Sequence, residues 1–386
     1  MSDYTYLIAG GLASAGDEVH VWCPQWAVQP TPEIPGVIVH RRLGRFTSND
    51  LRRAGKMLNQ FPAPRRLLVQ WVPHGYGYNS LNFQFCLWLW NRAARHRDDI
   101  EVMVHEPFLA FGEGSRKQDA VAIGHRFMTM ILLRTASRVW TSIPSWEKNL
   151  RPYQFRRRVP FSTLPVPSSV PVIDDEFGIS KIRHRYAERG FLIGHFGTYG
   201  RGVAKLLMAA LPVILRQGTD RTVLLLGRGG EQFRDKFVAE YPGLKRVYAT
   251  GTLSSTDISR HLSACDLMFQ PYPDGINGRH TSAMAGLAHG LPTVTTYGHL
   301  TESFWFGTDA VAIAPVGDAE ANVQLVKRLL EDSTERTRLG NKARALYQEK
   351  FDLRHTIDAL RSTKRNDRAS NANCHRQLEP TQDRRY

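Results

Sequence analysis

No stretch of the chain approaches the roughly 20 consecutive apolar residues needed to cross a bilayer. The amino-terminal segment also lacks the basic start and apolar run of a secretory signal. The expected location is the cytoplasm, with membrane reached only peripherally at the inner face. Cysteine is scarce: Cys23, Cys86, Cys265 and Cys374 are far apart and none sits in a C-x-x-C pair. That argues against a disulfide scaffold and against cysteine zinc sites. Acids are outnumbered, 36 Asp and Glu against 51 Lys and Arg, leaving a formal charge of +15. Such a surplus suits an anionic partner or surface. The segment 364–386 contributes only six basic and three acidic residues and reads as a disordered basic tail. Neither a G-x-G-x-x-G turn with its downstream acid nor a Gly-Lys-Ser/Thr phosphate loop occurs. With no recognisable DNA- or RNA-binding module either, no nucleic-acid partner is expected.

The chain does have ordinary globular composition, 42% hydrophobic and 23% charged over 386 residues, a length that suits about two domains. Short β-branched runs at 18–23, 36–40, 66–72 and 100–105 predict strands in the first half, with helical stretches at 6–15, 48–60 and 82–97. A proline-rich stretch, Leu164 to Pro171, reads as a crossover. Strands are then predicted at 191–197, 221–227, 246–251, 267–271 and 292–296, helices at 204–216, 255–264 and 281–289, and long helices over 325–351. Strand and helix alternating in this way imply parallel βαβ units. The expected fold class is therefore α/β, in two similar-sized halves at 1–175 and 176–362. An open α/β domain ordinarily begins with a strand and a glycine turn, yet this sequence begins in a helix, so the expectation is a first strand upstream of Met1.

Candidate chemistry gathers at strand ends, where helix N-termini offer free N–H groups to anions. The strand at 267–270 runs into Pro271-Tyr272-Pro273-Asp274, with Gly275 and Gly278 able to close on a ligand and Thr281 or Ser282 placed to cap the next helix. An ordinary capped loop explains that spacing equally well. A companion loop, Gly194 to Gly202, carries Gly197, Thr198 and Arg201. Arg201, Lys205 and Arg279 are placed to neutralise a diphosphate, or are simply solvated cations. In the first half His105 and Glu106 end a strand, where a histidine can donate to a substrate oxygen or merely satisfy a loop. The loop Trp71 to Gly77 suits sugar or lipid contact, or packing. Arginines at 151–158, 65–66 and 92–97 suit anionic lipid, or form a solvated face.

These pieces in this order resemble a GT-B glycosyltransferase of the family 4 type over nearly the whole chain to about residue 362. The segments carrying the likeness are GDEVHVWCP (16–24), VHEPF (104–108), FGTYG (196–200), LLLGRGG (224–230), ATGTL (249–253) and AGLAHGLPTVTT (285–296). The resemblance implies two Rossmann-like domains facing across a cleft, with the nucleotide-sugar donor, of UDP or GDP type, held mainly by the second and the acceptor mainly by the first. The implied activity is retaining transfer of a hexose-type sugar to a glycan, lipid-linked or small-molecule acceptor, with no metal or other cofactor. A degenerate binding protein without turnover is the alternative. Position by position, His105 matches the histidine that contacts the transferred sugar, and Arg201 stands where the family usually has its phosphate-binding lysine. Thr198 replaces an arginine. Gly227, Gly251 and Leu253 fall along the nucleotide side, while Asp274, Asn277, Gly278, Arg279, His280, Thr281 and Ser282 form the turn that would hold the sugar and distal phosphate. The family's Glu-x7-Glu pair is replaced by Asn277 and Ala285, with Asp274 or Glu302 as the nearest substitutes.

Overall fold

The computed structural model describes residues 2–25, 33–77, 80–112, 115–155 and 157–362. The expected disordered tail lies outside the described residues. The first half opens with helix α1 (Ser2–Ser14), followed by β1 (Val19–Trp22) and β2 (Val37–His40), which pair in parallel as a two-stranded sheet. Then come α2 (Ser48–Leu58), β3 (Arg66–Trp71), α3 (Phe83–His96), β4 (Asp99–Val104), α4 (Arg116–Thr135), β5 (Arg138–Thr141), α5 (Pro144–Leu150) and β6 (Phe161–Thr163). Strands β3 to β6 form a second parallel sheet in sequence order. Within these sheets β1 and β3 each have a strand partner on one side only. Helix α1 packs Tyr4 and Ile8 against Met103 and Trp140 of the four-stranded sheet while also lying against β1 and β2.

Two buried ion-pair clusters hold this half together. Asp98, fully buried, accepts from Arg65 Nε at 2.6 Å and from Arg92 Nε at 2.5 Å, and Arg92 is equally buried. Glu101 takes a bidentate pair from Arg66 at 2.7 and 2.8 Å and the indole N–H of Trp140 at 2.5 Å. The arginines predicted as a lipid-binding cluster at 65–66 and 92 are therefore in part structural cations.

The second half comprises α6 (Glu176–Ala187), β7 (Phe191–Phe196), α7 (Arg201–Arg216), β8 (Arg221–Leu226), α8 (Gly230–Glu240), β9 (Val247–Ala249), α9 (Ser255–Ser263), β10 (Leu267–Gln270), α10 (Thr281–Ala288), β11 (Thr293–Tyr297), β12 (Ala312–Pro315), α11 (Ala319–Glu331) and α12 (Ser333–Leu346). Its six strands form one parallel sheet in the order β12-β11-β10-β7-β8-β9. Strand β8 is buried along its whole length. Leu225 and Val223 enter the core under α7, and Leu224 and Leu226 enter the opposite core with Leu192 and Met268, as befits a strand covered on both faces.

The chain passes between the halves twice. The first passage is the extended stretch 164–175 and the second follows the helical turn Tyr347–Phe351. The Tyr347 hydroxyl accepts from the Ser168 N–H at 3.2 Å, so the two passages touch. The helical segment 353–362, grouped with the second domain by sequence, instead lies on the first sheet. Ile357 and Leu360 pack there with Tyr4, Trp140 and Val166, and Arg66 donates to the Leu360 carbonyl at 2.7 Å.

Candidate functional site

In the six-stranded sheet the chain moves outward from β7 through β8 to β9, then returns to the other side of β7 with β10. The order reverses between β7 and β10. Loops leaving the carboxyl ends of two such strands diverge, and the crevice they open is where open α/β sheets take ligands. The loops concerned are 197–200 and 271–280. The glutamine that ends β10, Gln270, stitches them together: its Oε1 accepts from the Phe196 N–H at 3.1 Å, and its Nε2 donates to the Phe196 carbonyl at 2.6 Å and to Ser282 Oγ at 3.1 Å. Only its place, polar at the end of an apolar strand, could have marked it in the sequence.

Close backbone approach continues around the edge. Gly197 donates to the Leu226 carbonyl at 3.1 Å and Gly227 to the Gly251 carbonyl at 3.2 Å. Gly227 has φ +106, and a Cβ there would stand 2.4 Å from the Gly197 carbonyl oxygen, so only glycine fits. Gly202 lies against Pro273, where a Cβ would come within 2.5 Å, bringing the start of α7 onto the 271–280 loop. Gly251 is buried and Leu253 half-buried beside it.

The helix starts at this edge differ from most of those elsewhere, α5, which follows Ile143, being likewise uncapped. Helices α2, α3, α4, α6, α9, α11 and α12 all have an N-cap side chain accepting from the first turn. Helices α7, α8 and α10 begin at Gly200, Gly229 and His280, and none of these supplies a cap. Thr281 and Ser282, predicted as caps, are instead the first helical residues of α10. Ser282 Oγ is occupied by Gln270 and, at 2.8 Å, by the Tyr272 hydroxyl. Uncapped N-termini leave first-turn N–H groups and a positive dipole end at this edge, although at α10 the Ala283 N–H meets the Tyr272 hydroxyl. Arg201 and Lys205, four residues apart on α7, are exposed and among the described residues make no ion pair. Thr198 is exposed beside them.

Of the turn Asn277 to Thr281, expected to hold the sugar and distal phosphate through its amides, the first part is closed on itself. Gly278 N–H donates to the Glu302 carboxylate at 3.0 Å, and Arg279 N–H donates to Asn277 Oδ1 at 3.3 Å. His280 N–H donates to the Asn277 carbonyl at 3.2 Å. Asn277 is fully buried, with its amide donating to the Gly275 carbonyl at 3.1 Å. The Arg279 guanidinium is paired with Asp274. Glu302 is held inward, its second oxygen accepting from the Trp305 indole at 2.9 Å, and burial pushes its carboxyl above the usual range. His280 stacks on Tyr272 with ring centres 3.7 Å apart, and burial pushes it down to about 3. The amides of Gly278, Arg279 and His280 are thus satisfied by Glu302 and within the turn, beside the uncapped starts of α7 and α10.

This turn also meets the first half. The Gly278 carbonyl accepts from the Val166 N–H at 2.9 Å, and the Arg279 guanidinium lies 5.5 Å from the ring centre of Trp146. The Trp146 indole donates to the His105 carbonyl at 2.9 Å. His105, at the carboxyl end of β4, donates from Nε2 to Gln70 Oε1 at 2.9 Å, which leaves Nδ1 as an acceptor. Burial pushes its pKa down to about 4, so the ring is neutral near pH 7. Tyr4 abuts it edge-on at 4.8 Å. His105 is therefore joined to Arg279 through one intervening side chain, while Glu106 is exposed next to it. Gln70 and Trp146 carried no signal in the sequence beyond polar and aromatic character near strand ends.

Residues 190–332 match the family model described as Glycosyl transferases group 1. A sequence search of curated proteins finds no match. Among solved structures, a sucrose-phosphate synthase from Thermosynechococcus elongatus is similar at TM-score 0.71 and 17% identity, over 95% of this chain and 93% of that one. Anabaena HepE in complex with UDP and glucose is similar at 0.67 and 16%, over 95% and 96%. WaaG, a glycosyltransferase involved in lipopolysaccharide biosynthesis, is similar at 0.61 and 15%, over 93% and 95%. The shared fold is GT-B: two Rossmann-like domains facing across a cleft.

Proposed function

We propose, from a GT-B chain whose second half matches the group 1 glycosyltransferases, that this protein transfers a sugar from a nucleotide diphosphate sugar to a hydroxyl acceptor with retention of configuration. One observation carries the reading: α7 and α10 both start without an N-cap side chain at the strand-order reversal, with two exposed cations, Arg201 and Lys205, beside them. Dipole ends and cations fixed in place before reaction stabilise the negative charge that develops on a departing diphosphate. The HepE complex with UDP-glucose supports a donor of the UDP type.

In this reading the diphosphate spans the ends of α7 and α10, and the base lies along Gly227, Gly251 and Leu253. The sugar points toward the first half, where neutral His105 accepts a hydrogen bond from one of its hydroxyls through Nδ1. The acceptor hydroxyl attacks the anomeric carbon on the face that the diphosphate leaves. The anomeric C–O bond to phosphate breaks, and the acceptor's proton passes to the departing phosphate oxygen. The acceptor, a glycan, a lipid-linked sugar or a small molecule, approaches from the first half. The test is incubation of the purified protein with labelled UDP- and GDP-sugars. Transfer or slow donor hydrolysis, lost in an Arg201→Ala/Lys205→Ala variant, is expected. Donor binding by calorimetry with no product from any donor would instead establish a binding protein without turnover.

A further inference from the structure

Helix α4 breaks the usual pattern for a helix on a sheet. Its inner face buries Met128, Leu132 and Leu133, as expected. Its outer face is also apolar: Ile123 is 49% exposed and Phe127, one turn on, is 54% exposed. The middle of the helix thus has a second apolar surface, opposite the sheet, that the described residues leave exposed. Helix α3 lies beside α4 on the same face of the sheet, since both connect adjacent parallel strands in the same hand, and it exposes Leu87 and Trp90. Two loops extend the patch. Arg126 anchors both: its guanidinium sits 3.7 Å from the Phe111 ring and 4.3 Å from the Phe108 ring, and its Nε donates to the Tyr153 hydroxyl at 3.0 Å. Phe111 and Phe155, beyond these anchors, are 51% and 68% exposed. Arg157 donates to the Arg134 carbonyl at 3.1 Å, fixing the second loop to the end of α4.

The rim of this patch is cationic. Arg116 and Lys117 begin α4, Arg134 ends it, and Arg157 and Arg158 follow in the adjoining loop, all exposed. Of the nearby acids, Asp119 accepts from the Gly112 N–H at 2.9 Å and Glu147 is paired with Arg151.

The geometry points to this face as a docking surface for anionic phospholipid, with Ile123, Phe127, Phe111 and Phe155 entering the headgroup boundary and the rim cations meeting the lipid charge. A second copy of the chain would set like-charged rims against each other, so charge selects the lipid. The inference adds to the proposed transfer activity by placing the acceptor half against membrane, which favours a lipid-linked acceptor.

The test is co-sedimentation of the full chain with vesicles of phosphatidylcholine alone and of phosphatidylcholine mixed with phosphatidylglycerol. Recovery with the anionic vesicles only, falling as salt rises, is expected. Phe127→Glu and Arg134→Glu are each expected to weaken partition about fivefold or more while leaving circular dichroism and UDP-sugar binding unchanged. That unchanged binding separates the outcome from any failure of the transfer reading. Equal recovery with both vesicles, recovery with neither, or a concentration-dependent dimer abolished by Phe127→Glu would overturn the proposal.

Discussion

The two sheets solve the same folding problem by different means. The second is one uninterrupted parallel sheet whose inner strands are covered on both faces and whose loops approach through glycines. The first is divided, β1 and β2 apart from β3 to β6, and depends on ion pairs taken out of water. Strand continuity lets the second half place two open helix ends side by side with few side-chain contributions. The divided half commits side chains to structure that could otherwise have served a ligand.

Four measurements would break or sharpen that contrast. Arg92→Met leaves Asp98 buried and short of a partner, and is expected to cost about 3–5 kcal/mol in chemical unfolding. Arg260→Ala, which removes solvent-exposed pairs with Asp175 and Asp257, is expected to cost far less in the same measurement. Equal costs would erase the distinction between the halves. Replacing Arg201 and Lys205 together by alanine is expected to lower transfer by about 10²–10³-fold with no change in melting temperature, because neither is packed. A stability loss on the same scale would show them to be structural.

Acid sensitivity gives a smaller effect. His105 and His195, one in each half, are both pushed by burial from the usual 6.5 to about 4. Between those values the unfolded chain binds protons that the folded chain refuses. Stability is therefore full above pH 6.5 and falls toward pH 4, by up to about 1.4 kcal/mol per pH unit for each group. His105→Gln and His195→Gln should flatten urea midpoint against pH equally. A flattening in only one would assign the acid response to that half. Smallest is the difference in amide exchange. Peptide 66–71, with one strand neighbour, should exchange before 221–226, with two. The reverse order would mean that β3's outer edge is protected by something other than a strand.

Much of the second half was legible because its strands are short apolar runs ending at glycine or proline, and the family's segments fall on those ends. Predicted strand 246–251 shrinks to Val247–Ala249 because Thr250 and Gly251 turn to meet the neighbouring loops. Helix α4 carried no readable period, since Ile123 and Phe127 fill the positions where a surface helix would be polar. The turn 274–280 was the least legible. Asn277 and Gly278 have the composition of a ligand-binding turn, yet which partner takes each amide depends on Glu302, a residue 24 positions away in sequence. The open ends of α7 and α10 were visible only as missing serine, threonine or aspartate at positions 200 and 280, a negative signal that has meaning once the strand order is known.

The contact between Ser168 and Tyr347 has a mechanical consequence. Two connections that touch act as a paired pivot: they resist twisting of one lobe against the other and leave a rocking motion about their common line. Entry of a bulky molecule into the crevice and its escape would then follow the same swing, like the travel of a jaw, and stiffening the pivot would slow both together.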